Sequence, residues 1–248
     1  MTQSSKTLFL KYAGFNVLGM LGISIYILAD TFFIAQALGS NGIAALNISI
    51  PIYGFIFGLA LMLGLGGATR YSILVAQKKL QSAQAVFIST LKYGLLIGLL
   101  LVVTGLFFAP VLASVMGANK VIFEDTLTYI RTVLFFAPFF IMNTIMIAFI
   151  RNDSNPRLAM IAMIGGSLLN IVLDYIFLFQ LEMGMFGAAL ATAIAPIISL
   201  SILSMHFLRP IKLLHFKPFN APLHSIKDIM TLGFPGLITE LSSSVVII

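Results

Sequence analysis

Residues 12–37 read YAGFNVLGMLGISIYILADTFFIAQA and carry a single formal charge, Asp30. A helix needs about 20 apolar residues to cross a hydrocarbon core of ~30 Å, and this run is long enough. A carboxylate placed there is costly, and it persists where it faces a cavity and binds or relays something. The same pattern returns at residues 158–179, LAMIAMIGGSLLNIVLDYIFLF, where the one charge is Asp174. These two stretches decide the class: an all-α polytopic membrane protein with acids inside its spans.

The rest of the chain agrees. It is 60% hydrophobic and 9% charged, against about 25% charged in soluble domains. Six apolar runs reach membrane length, near 12–37, 43–68, 85–109, 131–150, 158–179 and 185–207, and a seventh begins near 229. Barrel strands would be ~10 residues long and alternate in polarity, so the continuous runs predict helices. The opening MTQSSKTLFLKYAGF leads into an apolar stretch too long for a cleavable signal and without a small-residue cleavage site, so it reads as the entry to a retained first span.

Lys and Arg set the orientation. With the N-terminus in the cytoplasm, the inner segments hold Lys6, Lys11, Arg70, Lys78, Lys79, Lys92, Arg151, Arg157, Arg209, Lys212, Lys217 and Lys227, leaving only Lys120 and Arg131 outside. That is the cytoplasmic bias of membrane proteins. The alternation of basic loops also argues against nucleic acid as the partner of the +6 net charge. There is no cysteine, which removes disulfides, thiolate metal sites and cysteine nucleophiles. No HExxH helix is present, and no nucleophile constellation points to an enzyme.

Three parts follow along the chain: a six-helix lobe at 1–207, a basic and apolar linker at 208–226 (LRPIKLLHFKPFNAPLHSI), and the beginning of a second unit at 227–248. A linker of that composition suits the headgroup region. The segment MTLGFPGLITELSSSVVII (230–248) has the texture of the first span. An even number of spans precedes it, so a second six-helix unit would start in the same orientation, as in parallel-repeat transporters. The expected complete protein is about twice as long.

Depth groups the polar residues. Asp30 and Asp174 lie seven and five residues before the outer ends of their spans, and Thr192 seven after the start of its own. At 1.5 Å per residue, the two acids sit roughly 8–10 Å below the outer surface, with Thr192 at similar depth. Ser167, Asn170 and Asp174 form one polar stripe on the fifth span, since residues four apart share a helix face. Two carboxylates, an amide and a hydroxyl make an all-oxygen site, suited to a hard cation such as Na+ at Asp30 and Asp174 or to a proton. Glu240 is a further acid in apolar sequence, either part of a second site or near the cytoplasmic mouth. The glycines of Gly64–Gly67, of Gly54 and Gly58, and of Gly94 and Gly98 predict close helix packing. Pro51 and Pro196 predict kinks.

Four segments carry a resemblance. ILADTFFIAQALGSNGIAALNISIPI (27–52), MLGLGGATRYS (62–72), RNDSNPRLAMIAMIGGSLLNIVLDYIFLF (151–179) and GMFGAALATAIA (184–195) resemble the MATE multidrug and toxin extrusion transporters, in their MepA-like bacterial branch. The resemblance covers the whole chain. It implies half of a twelve-helix, two-lobed MATE/MOP-type transporter: the N-terminal lobe plus the start of helix seven. It also implies an antiporter in the bacterial plasma membrane that exports small organic cations and drugs in exchange for H+ or Na+, with no other cofactor, monomeric when full length. The family's cation site matches Asp30, Asn170, Asp174 and Thr192, with Ser167 and Glu240 as further candidates. The alternative within the superfamily is a flippase for lipid-linked oligosaccharides. That would want a basic cavity for pyrophosphate, and the spans hold almost no mid-membrane Lys or Arg.

Overall fold

The computed structural model describes residues 5–209, 213–215 and 224–246. The first helical stretch, Ser5–Ala76, is interrupted at Gly39 (φ 66°, ψ −156°), a backbone conformation that L side chains rarely adopt. At 1.5 Å per residue an unbroken helix of this length would reach about three bilayer thicknesses. The glycine divides it into α1 (5–38) and α2 (40–76). There follow α3 (Leu80–Val115), α4 (Phe123–Phe135 and Ala137–Asn152), α5 (Pro156–Tyr175), α6 (Gly184–Ser204) and α7 (His224–Val246). Among the described residues four helical stretches are long and apolar enough to cross a membrane, and a fifth when the two parts of α4 count as one span. The break at Gly39 turns these into six spans.

The fourth span differs from its expected limits. Its helix begins at Phe123 rather than near 131 and bends by 51° at Phe136 (φ −92°, ψ 5°). Pro138 follows two residues later and cannot donate a backbone hydrogen bond, which accounts for a break there. Pro51 lies inside α2 and Pro196 inside α6. The end of α5 runs on into another irregularity: a π-helical turn spans Ile176–Gln180, closed by Leu181 N–H donating to Ile176 O at 2.9 Å.

Glycine seams hold the bundle together, as the sequence predicts. A Cβ on Gly64 would stand 3.2 Å from Thr144 O of α4, and one on Gly98 would stand 2.6 Å from Pro138 Cα. The tightest seam joins α2 to α7, where a Cβ on Gly66 would collide with Ile229 O and one on Gly233 with Met62 O. Such close approach yields packing energy without hydrophobic drive, the term available to helices in lipid. Ile56, Leu63, Phe87, Ile130, Ile141, Ile145 and Phe149 fill the interior, while Leu28, Phe107 and Val115 stand outward.

One end of the bundle is tied by Asp153, in the turn between α4 and α5. Tyr71 Oη donates to its Oδ1 at 3.0 Å and His206 Nε2 to its Oδ2 at 2.8 Å. The Leu213 and Leu214 N–H groups donate to the same carboxylate at 3.2 and 3.3 Å. Asn155 Nδ2 donates to His206 Nδ1 at 3.2 Å, which fixes the ring proton on Nε2. Of the linker placed at 208–226, residues 210–212 and 216–223 lie outside the described residues; the described piece 213–215 is held by Asp153 and by Gln84 Oε1, which accepts the His215 N–H at 3.1 Å.

Burial pushes the Asp153 carboxyl up, but the donors from His206, Leu214, Tyr71 and Leu213 outweigh it and hold the group below its ordinary range. A group depressed in this way contributes its full stability above the unfolded-state value, about 3.9, and loses it as pH falls through the folded-state value. Asp153→Ala is therefore expected to cost on the order of 2–3 kcal/mol at neutral pH and to leave a melt in detergent less acid-sensitive below pH 4. An unchanged melting temperature at pH 7 would refute the tie.

Candidate functional site

At the opposite end of the bundle the residues grouped by depth meet. Asp30 lies on α1 nine residues before Gly39, Asn170 and Asp174 share one face of α5, and Thr192 lies on α6 eight residues after Gly184. The four are 7%, 1%, 0% and 6% exposed. In the amide orientation that satisfies both of its ends, Asn170 Nδ2 donates to Asp174 Oδ2 at 3.1 Å and Asn170 Oδ1 accepts the Thr192 N–H at 3.2 Å. The Asp30 and Asp174 carboxyl groups lie close enough to interact. A hydrogen bond between them would require a shared proton, and Asp30 Oδ1 and Asp174 Oδ1 are buried without a partner. Two carboxylates this close in a medium of low dielectric repel strongly when both are ionised.

Sequence reasoning missed the phenols around this pair. Tyr129 of α4 is 5% exposed, and its phenol lies near the Thr192 side chain and both acids. Tyr26, one turn before Asp30 on α1, has its Oη 3.4 Å from Tyr53 Oη of α2. Spacing four residues from Asp30 was a readable signal for Tyr26. For Tyr129 and Tyr53 no sequence signal existed, because only the packing of α4 and α2 brings them in.

A cavity of about 550 Å³ runs from this cluster along the bundle axis, past Tyr26, Tyr53 and Ser167, to Asn16 and Arg151 at the far end. Ser167 Oγ donates to Met163 O at 2.9 Å, so Ser167 belongs to the cavity wall, about two turns from Asp174. Glu240 of α7 also lines the cavity; it sits level with Gly58 of α2 and faces Tyr53, apart from the carboxyl pair. Among the described residues no three His, Asp or Glu side chains converge as metal ligands. The oxygen-only donor set fits a hard monovalent cation.

Comparison with known proteins decides the lineage. The profile of the MatE family matches residues 17–176. The chain belongs to this family. It is 28% identical over 227 residues to the Multidrug export protein MepA of Staphylococcus saprophyticus subsp. saprophyticus, an alignment that covers 91% of this chain and 50% of the relative. The corresponding MepA of Staphylococcus aureus is 26% identical over the same share. Among solved structures, a ligand complex of the MATE multidrug transporter DinF-BH superposes with a TM-score of 0.92 at 28% identity, covering 99% of this chain and 56% of that one. A MOP superfamily transporter from Pyrococcus furiosus superposes with 0.84 at 30% identity, covering 92% and 51%. This MatE chain thus spans about half the length of the curated relatives it matches and forms about half of a two-lobed, twelve-helix fold.

Proposed function

We propose that this MatE chain is the N-terminal lobe of an antiporter that exports small organic cations and drugs in exchange for H+ or Na+. It would act in the bacterial plasma membrane as a monomer with its N-terminus in the cytoplasm. The carrying observation is the pair Asp30 and Asp174, buried with unpartnered oxygens beside Asn170 and Thr192, which line one end of a long cavity. By the Lys and Arg bias, that end is the outer one. A proton or Na+ entering from outside neutralises the pair and removes its repulsion. A ligand shifts a conformational balance by its differential affinity for the two states; here the incoming cation favours the state that has released the organic cation outward. Asn170, held between Asp174 and Thr192, fixes the carboxylate for this exchange. Ser167 and Glu240 line the path of the organic cation, and Glu240 supplies a negative charge for it.

The names of the relatives support an export role. The flippase reading gains little, since Arg151 is the one basic side chain among the described residues lining the cavity, and a pyrophosphate wants several.

The test uses the complete reading frame in liposomes, following a fluorescent organic cation under an imposed proton gradient and then a sodium gradient. Efflux driven by either gradient names the coupling ion. Absence of efflux under both would sink the reading. In the same assay Thr192→Val keeps shape but removes the hydroxyl that touches Asn170 and Tyr129. It is expected to raise the concentration of coupling ion needed for half-maximal efflux about 5–10-fold, the effect of one lost hydrogen bond, while leaving the maximal rate within about twofold.

A further inference from the structure

A second hollow lies at the other end of the bundle, away from the carboxyl pair. It is about 530 Å³ in volume, and Phe15 of α1, Ser154 to Arg157 and Met160 at the start of α5, and Arg209 after α6 line it. Two guanidinium groups, an exposed hydroxyl and an amide side chain are therefore gathered at one notch, and among the described residues no acidic side chain lines it. Arg157 and Arg209 are both exposed. Phe15 and Met160 supply its apolar lining. Along the same two helices, one to three turns further into the membrane, Val17, Leu18 and Leu21 of α1 and Ile161 and Leu168 of α5 stand outward. A cationic notch at headgroup level, continuous with a greasy strip, has the two chemistries of a phospholipid in the right order.

We infer that this notch binds the phosphate of an anionic phospholipid from the cytoplasmic leaflet, with its acyl chains along α1 and α5. The inference rests on the orientation proposed above and is independent of the transported substrate. Arginine suits the role because its planar fork donates two parallel hydrogen bonds to phosphate oxygens. Anionic lipid attracts each basic residue near the membrane surface appreciably, and here two of them converge on one spot. The bound lipid would join α1 to the α4–α5 turn and to the end of α6, the last two of which Asp153 also ties together through His206.

The chain contains no tryptophan, so Phe15→Trp places a single fluorophore in the notch. The full chain carrying it is reconstituted with brominated phosphatidylglycerol or brominated phosphatidylcholine. Phosphatidylglycerol is expected to quench at roughly 10-fold lower content than phosphatidylcholine. The preference should vanish in Arg157→Gln with Arg209→Gln, return in Arg157→Lys with Arg209→Lys, and survive in Lys78→Gln with Lys79→Gln. The last pair removes equal charge at the same end of the bundle but outside the notch. Equal quenching by the two lipids would overturn the proposal, as would equal loss from both glutamine pairs, which would mean a diffuse field only. Millimolar inorganic phosphate that displaced the lipid completely would overturn it too, by identifying a site for the free anion. Retention of phosphatidylglycerol over phosphatidylcholine by the chain without Phe15→Trp, seen by native mass spectrometry and lost in the double glutamine variant, would support it independently.

Discussion

Asp30→Asn in the complete protein is expected to lower gradient-driven efflux about 100-fold while leaving the protein folded and able to bind an organic cation. The substitution keeps the shape of the side chain and its burial, but removes one of two facing charges. With Asp30 neutral, the repulsion that a proton or Na+ relieves at Asp174 is already gone. The incoming ion then has little differential affinity for the two states, and an ion without differential affinity shifts nothing however well it binds. Coupling free energies are typically about 1–3 kcal/mol, or roughly 5–150-fold, and the central position of the pair places the loss near the upper end. The checking measurements are efflux under a gradient and equilibrium binding of the same fluorescent cation. Efflux within twofold of the parent would remove Asp30 from the coupling site. Lost efflux together with lost binding and a lowered melting temperature would mean that Asp30 is structural.

Gly233→Leu is expected to detach α7 from α2. A Cβ at Gly233 would meet Met62 O and stand 2.6 Å from Met62 C, and these are backbone atoms that no rotamer change can move. Overpacking costs about 1–3 kcal/mol where side chains can adjust; against backbone on both helices the cost is about 3 kcal/mol or more, and α7 must shift. The chain has no cysteine, so a cross-link reports this without background. A Cβ on Gly236 would lie 3.6 Å from Leu61 Cβ, within the usual Cβ separation of disulfides. Leu61→Cys with Gly236→Cys is expected to oxidise readily in the parent and at least ~10-fold more slowly once Gly233→Leu is added. Equal rates would show that α7 tolerates the leucine where it is.

Much of this was legible before any coordinates. Asp30, Asn170, Asp174 and Thr192 group together by counting residues from span ends, because a helix converts sequence distance to depth at a fixed rise. The structure brings all four together. The glycine seams at residues 54, 58, 64, 66, 67, 94 and 98 were readable for a related reason: in lipid, small residues mark where backbones approach. Depth and smallness are one-dimensional properties, and a sequence records them directly.

The remaining features were not recorded in that way. The bend at Phe136 was missed although Pro138 stood in the sequence, because proline changes only the local hydrogen bonding and the neighbouring helices decide whether the chain bends there. Ser167 shares a stripe with Asp174, yet ends in the cavity wall, since rotation of α5 against α1 settles which part of a stripe meets which partner. Tyr129 and Tyr53 join the site from helices far apart in the chain, and Asp153 gathers Tyr71, His206 and two linker N–H groups across 53 to 82 residues.

The amino-acid sequence by itself determined the membrane class, the number of spans, their expected orientation and the depth of the acids, all of which follow from local hydropathy, charge and helical rise. Only the tertiary structure decided which side chains face one another, because azimuth and helix neighbours depend on how all the helices pack at once.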